Sequence, residues 1–140
     1  MIVQTACTVF KYNLLSGAED FNLPSPYIYK VALYNANANL NNTTAAYTSV
    51  DEVTGTGYAA GGEILTPTIS SDPTNNVAYV SFSNVTWNPA NFTCRGALIY
   101  NSTTGAAVCV LNFGSDKTAT NTFTITFPTA TSTTAVLRIN

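Results

Sequence analysis

The feature that most constrains this fold is a period of two in the apolar residues along much of the chain. It is strict in Thr122–Phe127, where Phe123, Ile125 and Phe127 share one face and three threonines share the other. Successive side chains of a β-strand point to opposite faces, so this pattern predicts a strand with one buried side. Repeated along the chain, it predicts an all-β, antiparallel fold.

Eight segments between Tyr27 and Ile139 have the composition or alternation of strands. They are Tyr27–Tyr34, Thr48–Thr54, Glu63–Ile69, Val77–Val85, Arg95–Tyr100, Ala106–Phe113, Thr122–Phe127 and Ala135–Ile139. Pro67 interrupts the third and predicts an edge strand or a bulge there. Asn101–Gly105 is a turn-rich loop of hairpin length between the fifth and the sixth. Seven to eight short strands of this kind predict a single antiparallel β-sandwich or jelly roll.

The first 17 residues have a different pattern. Ile2, Ala6, Val9, Phe10 and Leu14 recur at helical spacing, and Gly17 is a typical stop residue. We therefore expect residues 1–17 to form a short N-terminal helix or arm and residues 18–140 to form one β-sandwich domain. Two interpretations of the first segment stay open: it covers one end of its own sandwich, or it reaches a neighbouring subunit.

Charged side chains make up only 9% of the 140 residues, and the net charge is −2. The five cations are scattered: Lys11, Lys30, Arg95, Lys117 and Arg138. This distribution predicts no nucleic-acid partner, and no apolar run is long enough to predict a membrane span. A surface of hydroxyls and amides is easier to desolvate on association than one of Lys and Glu, although a Thr- and Asn-rich secreted protein has the same composition.

Three cysteines, an odd number, argue against a secreted disulfide framework. Residues 1–10 do not have the basic start and apolar core that indicate a signal peptide. We expect all three thiols to be reduced and buried, and the chain to be made in a reducing cytoplasm.

The sequence predicts no catalytic residue, no cofactor-binding residue and no metal ligand. The chain has no histidine, which removes the usual general base and the Ser-His and Cys-His dyads. Asp51 and Glu52 are adjacent, so on a strand they point to opposite faces, and Glu19 and Asp20 have the setting of solvated loop charges. A pair of distant carboxylates meeting in the fold, as in glycosidases, stays open as an alternative.

Two polar segments are predicted to be turns rather than ligand sites. Gly55–Gly62 is glycine-rich but lacks the register and the lysine of phosphate-binding loops. Asp72, Asn75 and Asn76 do not have the spacing of a calcium loop.

Tyrosine is the most frequent aromatic residue, and five tyrosines cluster in the first half: Tyr27, Tyr29, Tyr34, Tyr47 and Tyr58. Tyrosine is common at protein interfaces and on sugar-binding surfaces, and equally in ordinary sandwich packing. Trp87 is predicted to be an anchor in the core or in an interface.

Two groups of segments resemble small structural proteins encoded by tailed bacteriophages. The first is Tyr29–Tyr34 followed by Ala46–Thr48 and Glu52–Gly62. The second is Arg95–Tyr100 with Val110–Lys117, the Phe123–Phe127 strand and the closing Leu137–Ile139. The similarity spans about residues 8 to 139, but its motifs are strand-and-turn patterns, so no functional residue is carried over.

The resemblance implies a non-enzymatic virion structural protein, first of all a capsid cement or decoration protein that stabilises the head by bridging capsid subunits. The expected partners are the major capsid protein and further copies of the chain in a homotrimer or dimer. The expected location is the virion capsid, after synthesis in the host cytoplasm, with interfaces above roughly 2,000 Å². The alternatives are a neck, tail or fibre-associated virion protein, and a carbohydrate-binding module for host attachment that presents an exposed aromatic platform.

Overall fold

Ten strands and one short helix make up the structure, a computed structural model that describes all residues from Met1 to Asn140. The helix is α1 (Thr8–Ser16), and its nine residues are too few to cross a membrane. The strands are β1 (Thr5–Ala6), β2 (Tyr29–Tyr34), β3 (Glu63–Leu65), β4 (Pro67–Asp72), β5 (Val77–Phe82), β6 (Val85–Trp87), β7 (Phe92–Asn101), β8 (Ala107–Ala119), β9 (Phe123–Ile125) and β10 (Leu137–Ile139).

The strands form three antiparallel sheets, which confirms the all-β, antiparallel prediction. The large sheet has the order β1-β8-β7-β2-β3, a second has the order β10-β5-β4, and β6 pairs with β9 in the third. The strands number ten, in three sheets, rather than the expected seven to eight.

The extra strands arise where one predicted segment serves two sheets. Pro67 has no backbone N–H to continue a ladder, so Glu63–Ile69 divides into β3 in the large sheet and β4 in the second. Val77–Val85 also divides between two sheets, with Ser83 and Asn84 between β5 and β6. In contrast, Thr48–Thr54 forms no strand, because Asp51 takes a φ of +60° and only Glu52 bridges to β2.

The N-terminal helix is shorter than its apolar spacing predicts. Residues before Thr8 are extended: Ile2 bridges to Leu40, and β1 pairs with β8. The prediction that Gly17 ends the helix is confirmed, since it adopts a φ of +78° and donates its N–H to the carbonyl of Leu14. Residues 1–17 pack on the same domain as the rest of the chain, with Ile2, Cys7 and Phe10 in its core.

The predicted hairpin is confirmed as β7 and β8, the longest strands of the molecule. In its register Cys109 lies opposite Ile99, whereas Cys94 lies opposite Lys117, so these two thiols do not meet. All three cysteines are free and buried, as predicted. Burial raises the pKa of Cys7 to about 11 and that of Cys94 to about 12, which keeps both as thiols.

Aromatic side chains connect the two small sheets with the large one. Phe21 contacts Phe82 of β5 and Tyr29 of β2, with ring centroids 5.9 and 4.4 Å apart. Phe92 of β7 contacts both Trp87 of β6 and Phe123 of β9. Trp87 is therefore a core residue, and the small sheets share one apolar core with the large sheet.

Candidate functional site

An apolar cleft of about 640 Å³ opens between α1 and the β10-β5-β4 sheet. The helix contributes Phe10 and Leu14, and the sheet contributes Val80 and Leu137. Eleven of the 17 residues that line the cleft are hydrophobic. A concave apolar surface of this size is typical of a site that holds a ligand or a side-chain cluster of a partner protein. We call this surface the apolar cleft.

Three large aliphatic side chains on the rim of the cleft are open to solvent. Leu15 at the end of α1 is 90% exposed, Ile139 of β10 is 58% exposed and Ile69 of β4 is 44% exposed. Single exposed aliphatic residues are common, whereas a group of them around an apolar concavity is typical of surfaces that contact other molecules.

The charged residues at the cleft are Lys11, Asp20, Arg138 and Glu19. The first three form no ion pair, since the ion pair of this molecule joins Arg95 and Asp116 on the β7–β8 hairpin at 2.7 Å. The rim can therefore be covered without breaking a salt bridge.

The prediction that Glu19 is a solvated loop charge is wrong, because Glu19 is only 7% exposed and lies at the cleft. Its Oε2 accepts hydrogen bonds from the hydroxyl of Tyr29 at 2.7 Å and from Nδ2 of Asn101 at 3.1 Å. Its Oε1 is buried without a hydrogen-bond partner. Burial raises the pKa of Glu19, and the bonds from Tyr29 and Asn101 oppose this shift.

A second buried carboxylate, Glu52, organises the long segment between β2 and β3. The hydroxyls of Tyr47 and Tyr58 donate to its two oxygens at 2.6 Å each, and the N–H of Gly61 donates to Oε1 at 2.7 Å. Tyr58 also accepts the backbone N–H of Leu33 at 2.8 Å. Burial first, and the bond to Glu52 second, raise the pKa of Tyr58 well above its usual range, so the phenol remains a donor.

The glycine-rich segment is a packed turn, as predicted. Its Gly61 N–H serves Glu52 of the same chain. Gly57 and Gly62 have φ values of +85° and +74°, and a Cβ there would collide with the carbonyl oxygens of Pro89 and Val31. Glycine is required at both positions by the close approach of backbone to backbone.

The clustered tyrosines serve the core rather than an exposed platform. Tyr29, Tyr34 and Trp87 are buried, and Tyr47 stacks on Tyr100 with ring centroids 4.7 Å apart. Tyr12 is the one aromatic residue that is largely exposed. This arrangement offers one ring, not a row of rings, to a sugar.

The predicted turn at Asp72 is confirmed, since its carboxylate accepts the backbone N–H and the Nδ2 of Asn75. No group of three or more Cys, Asp or Glu side chains converges anywhere in the molecule in a way that would hold a metal ion.

A second cleft of about 650 Å³ lies between the middle of β8 and residues 125–140. Half of its 14 lining residues are polar, among them Gln4, Asn112 and Thr126. It has neither the exposed aliphatic rim nor a buried carboxylate, so the apolar cleft is the stronger candidate site.

Sequence reasoning did not identify the apolar cleft, because its residues come from four distant parts of the chain. The one local signal was the predicted strand Ala135–Ile139, of which Leu137–Ile139 is confirmed as β10, paired with β5.

No protein-family model, curated protein or solved structure matches this chain.

Proposed function

We propose that this protein is a non-enzymatic virion structural protein, a capsid cement or decoration protein that stabilises the head by bridging capsid subunits. The observation that carries the proposal is the apolar cleft with its exposed rim of Leu15, Ile69 and Ile139. Its partners are the major capsid protein and further copies of the chain, and its location is the virion capsid.

The energetics of the cleft support association rather than chemistry. Covering Leu15, Ile69 and Ile139 removes aliphatic surface from water, which is favourable at roughly 25 cal/mol per Å². Lys11, Asp20 and Arg138 also lie at the cleft, so a partner that covers it needs charged or polar groups that pair with them and offset the cost of desolvation. A weak contact of this kind becomes strong when one oligomer binds several capsid subunits at once.

In this proposal the two small sheets act together as the second layer of a β-sandwich that faces the five-stranded sheet. Two sets of contacts support this view. Phe82 of β5 contacts Phe21, and Trp87 and Phe123 of the β6–β9 sheet contact Phe92 of β7. The second layer holds one wall of the cleft at a fixed distance from α1.

The proposal is tested by binding the full chain to purified heads that lack it and measuring co-sedimentation. Leu15→Lys places a charge on the rim, and we expect it to weaken binding by at least about tenfold, as at a central contact residue. Val50→Lys is the matched control, because Val50 is also exposed but lies outside the cleft. Failure of the unmodified chain to bind heads, or equal loss in both variants, contradicts the proposal.

The position in the particle separates the first choice from its alternative, a neck, tail or fibre-associated virion protein. Labelled chain found only at the neck or tail favours the alternative. The carbohydrate-binding module is tested by a glycan array with the isolated chain, where we expect no binding because Tyr12 alone is largely exposed.

A further inference from the structure

We infer that the free edge of β4 pairs with β4 of a second copy, antiparallel about a two-fold axis at Ser70. This inference rests on the proposed function, since it names the self-partner of the structural protein and one side of its apolar cleft.

The first step is the choice of edge. A free strand edge invites pairing with another chain unless it is short, charged or covered. β1 has two residues, β6 and β9 have three each, β3 carries Glu63 and β10 carries Arg138. β4 is the longest edge strand, with six residues, and its only charge is Asp72 at the end. The part of β8 beyond β1 also lacks a paired strand on one side, but it carries Asp116 and Lys117. Of all free edges, β4 alone is long and uncharged along its middle.

The second step is to find the unpaired backbone groups. Ser83 donates its N–H to the carbonyl of Thr66 at 3.1 Å, just before the β4–β5 ladder begins. Hydrogen-bonded and non-bonded positions alternate in an antiparallel pair, so Thr68, Ser70 and Asp72 bond to β5. The N–H and C=O groups of Ile69 and Ser71 therefore point away from the sheet.

The third step is the register. Pro67 and Pro73 flank this pair of outward residues and have no N–H to donate. Pairing Ile69 with the partner's Ser71, and Ser71 with the partner's Ile69, uses every outward N–H and forms four backbone hydrogen bonds. Shifting the centre to Ile69 or to Ser71 also leaves four bonds, but it places a proline ring, instead of an N–H, against a carbonyl of Ser71 or Ile69 of the other copy, and that carbonyl finds no donor. The two-fold register centred on Ser70 is thus the best one.

Side chains agree with this register. Asp72 lies opposite the partner's Thr68, so no two like charges meet across the axis. Ile69 shares the face of its opposite neighbour Val80, which lines the apolar cleft. Pairing therefore covers Ile69 and joins the clefts of the two copies into one continuous surface.

A disulfide scan tests the register directly. At a non-hydrogen-bonded antiparallel pair the Cα atoms are about 4.5 Å apart, within reach of a disulfide. We expect Ser70→Cys to form a covalent dimer when a mild oxidant removes two electrons and two protons from the paired thiols. Thr68→Cys is the control, since its sulfur would lie about 13 Å from the same residue of the partner. The native thiols are buried and do not compete.

Light scattering tests the association itself. We expect a dimer for the unmodified chain and at least a tenfold weaker one for Ile69→Lys, whereas Ile64→Lys, exposed on β3, leaves the dimer intact. A monomer or a trimer, or equal cross-linking of both cysteine variants, would overturn the inference. A dimer that fails to bind heads refutes only the proposed function, and a monomer that binds heads refutes only the inference.

Discussion

Replacing Tyr58 with phenylalanine removes one oxygen atom that serves two partners. The hydroxyl donates to Glu52 Oε1 at 2.6 Å and accepts the N–H of Leu33 at 2.8 Å. The ring itself stays in place between Trp87 and Phe92, with centroid distances of 6.1 and 5.8 Å. The substitution therefore isolates the polar part of this cluster from its packing.

The expected cost follows from those two bonds. A hydrogen bond to a charged group contributes about 1.5–3 kcal/mol, and a buried N–H left without a partner costs about 1–3 kcal/mol. Glu52 keeps the bonds from Tyr47 and Gly61, which limits the loss. We expect Tyr58→Phe to lower the free energy of unfolding by about 2–4 kcal/mol.

Urea unfolding followed by the fluorescence of Trp87, the one tryptophan, measures this change. With a slope near 2 kcal/mol per molar urea, the midpoint falls by about 1–2 M. Tyr12→Phe is the matched control, because it deletes the same atom from a ring that is 71% exposed, and surface changes stay within about 0.5 kcal/mol. Equal midpoints for the two variants would refute the view that Glu52 and Tyr58 hold this segment.

Three further outcomes follow from the core. The folded state binds the Glu19 proton more tightly than the unfolded state, so stability falls as pH rises from below 4.5 through the raised pKa. We therefore expect Glu19→Gln to have a higher urea midpoint than the unmodified chain at neutral pH, but not at acid pH. Gly105→Ala should cost about 1–2 kcal/mol for its left-handed backbone, and Gly57→Ala, at nearly the same φ, at least twice as much because its Cβ meets Pro89; equal thermal melts would contradict this. The three buried thiols should react with a chromogenic disulfide reagent only after unfolding, and rapid labelling of the folded chain would contradict the burial of these side chains.

Strict alternation and turn chemistry predicted the regular parts of the fold. In the Thr122–Phe127 segment, Ile125 and Phe127 are buried and the threonines are exposed, as their spacing predicts. The β7–β8 hairpin follows from two apolar runs around a turn. These signals are local, so a single sequence contains them.

The rest depends on contacts between distant residues. Ile2 has helical spacing to Ala6, yet it is extended because Leu40 offers a backbone partner. Glu19 has the setting of a loop charge, but Asn101, 82 positions later, binds it inside the core. The many tyrosines indicate that polar groups are buried, but their number does not identify Glu19 and Glu52 as the carboxylates that they bind.

The burial of β2 on both faces has a consequence for the timescale of its motions. Val31, Ala32 and Leu33 are fully buried, with β7 bonded along one side of the strand. Their amide protons can meet solvent deuterium only when the whole fold opens, so their exchange rate is a direct readout of global stability. The outward amides of Ile69 and Ser71 in β4 are at the other extreme in a monomer, and pairing with a second copy should slow their exchange.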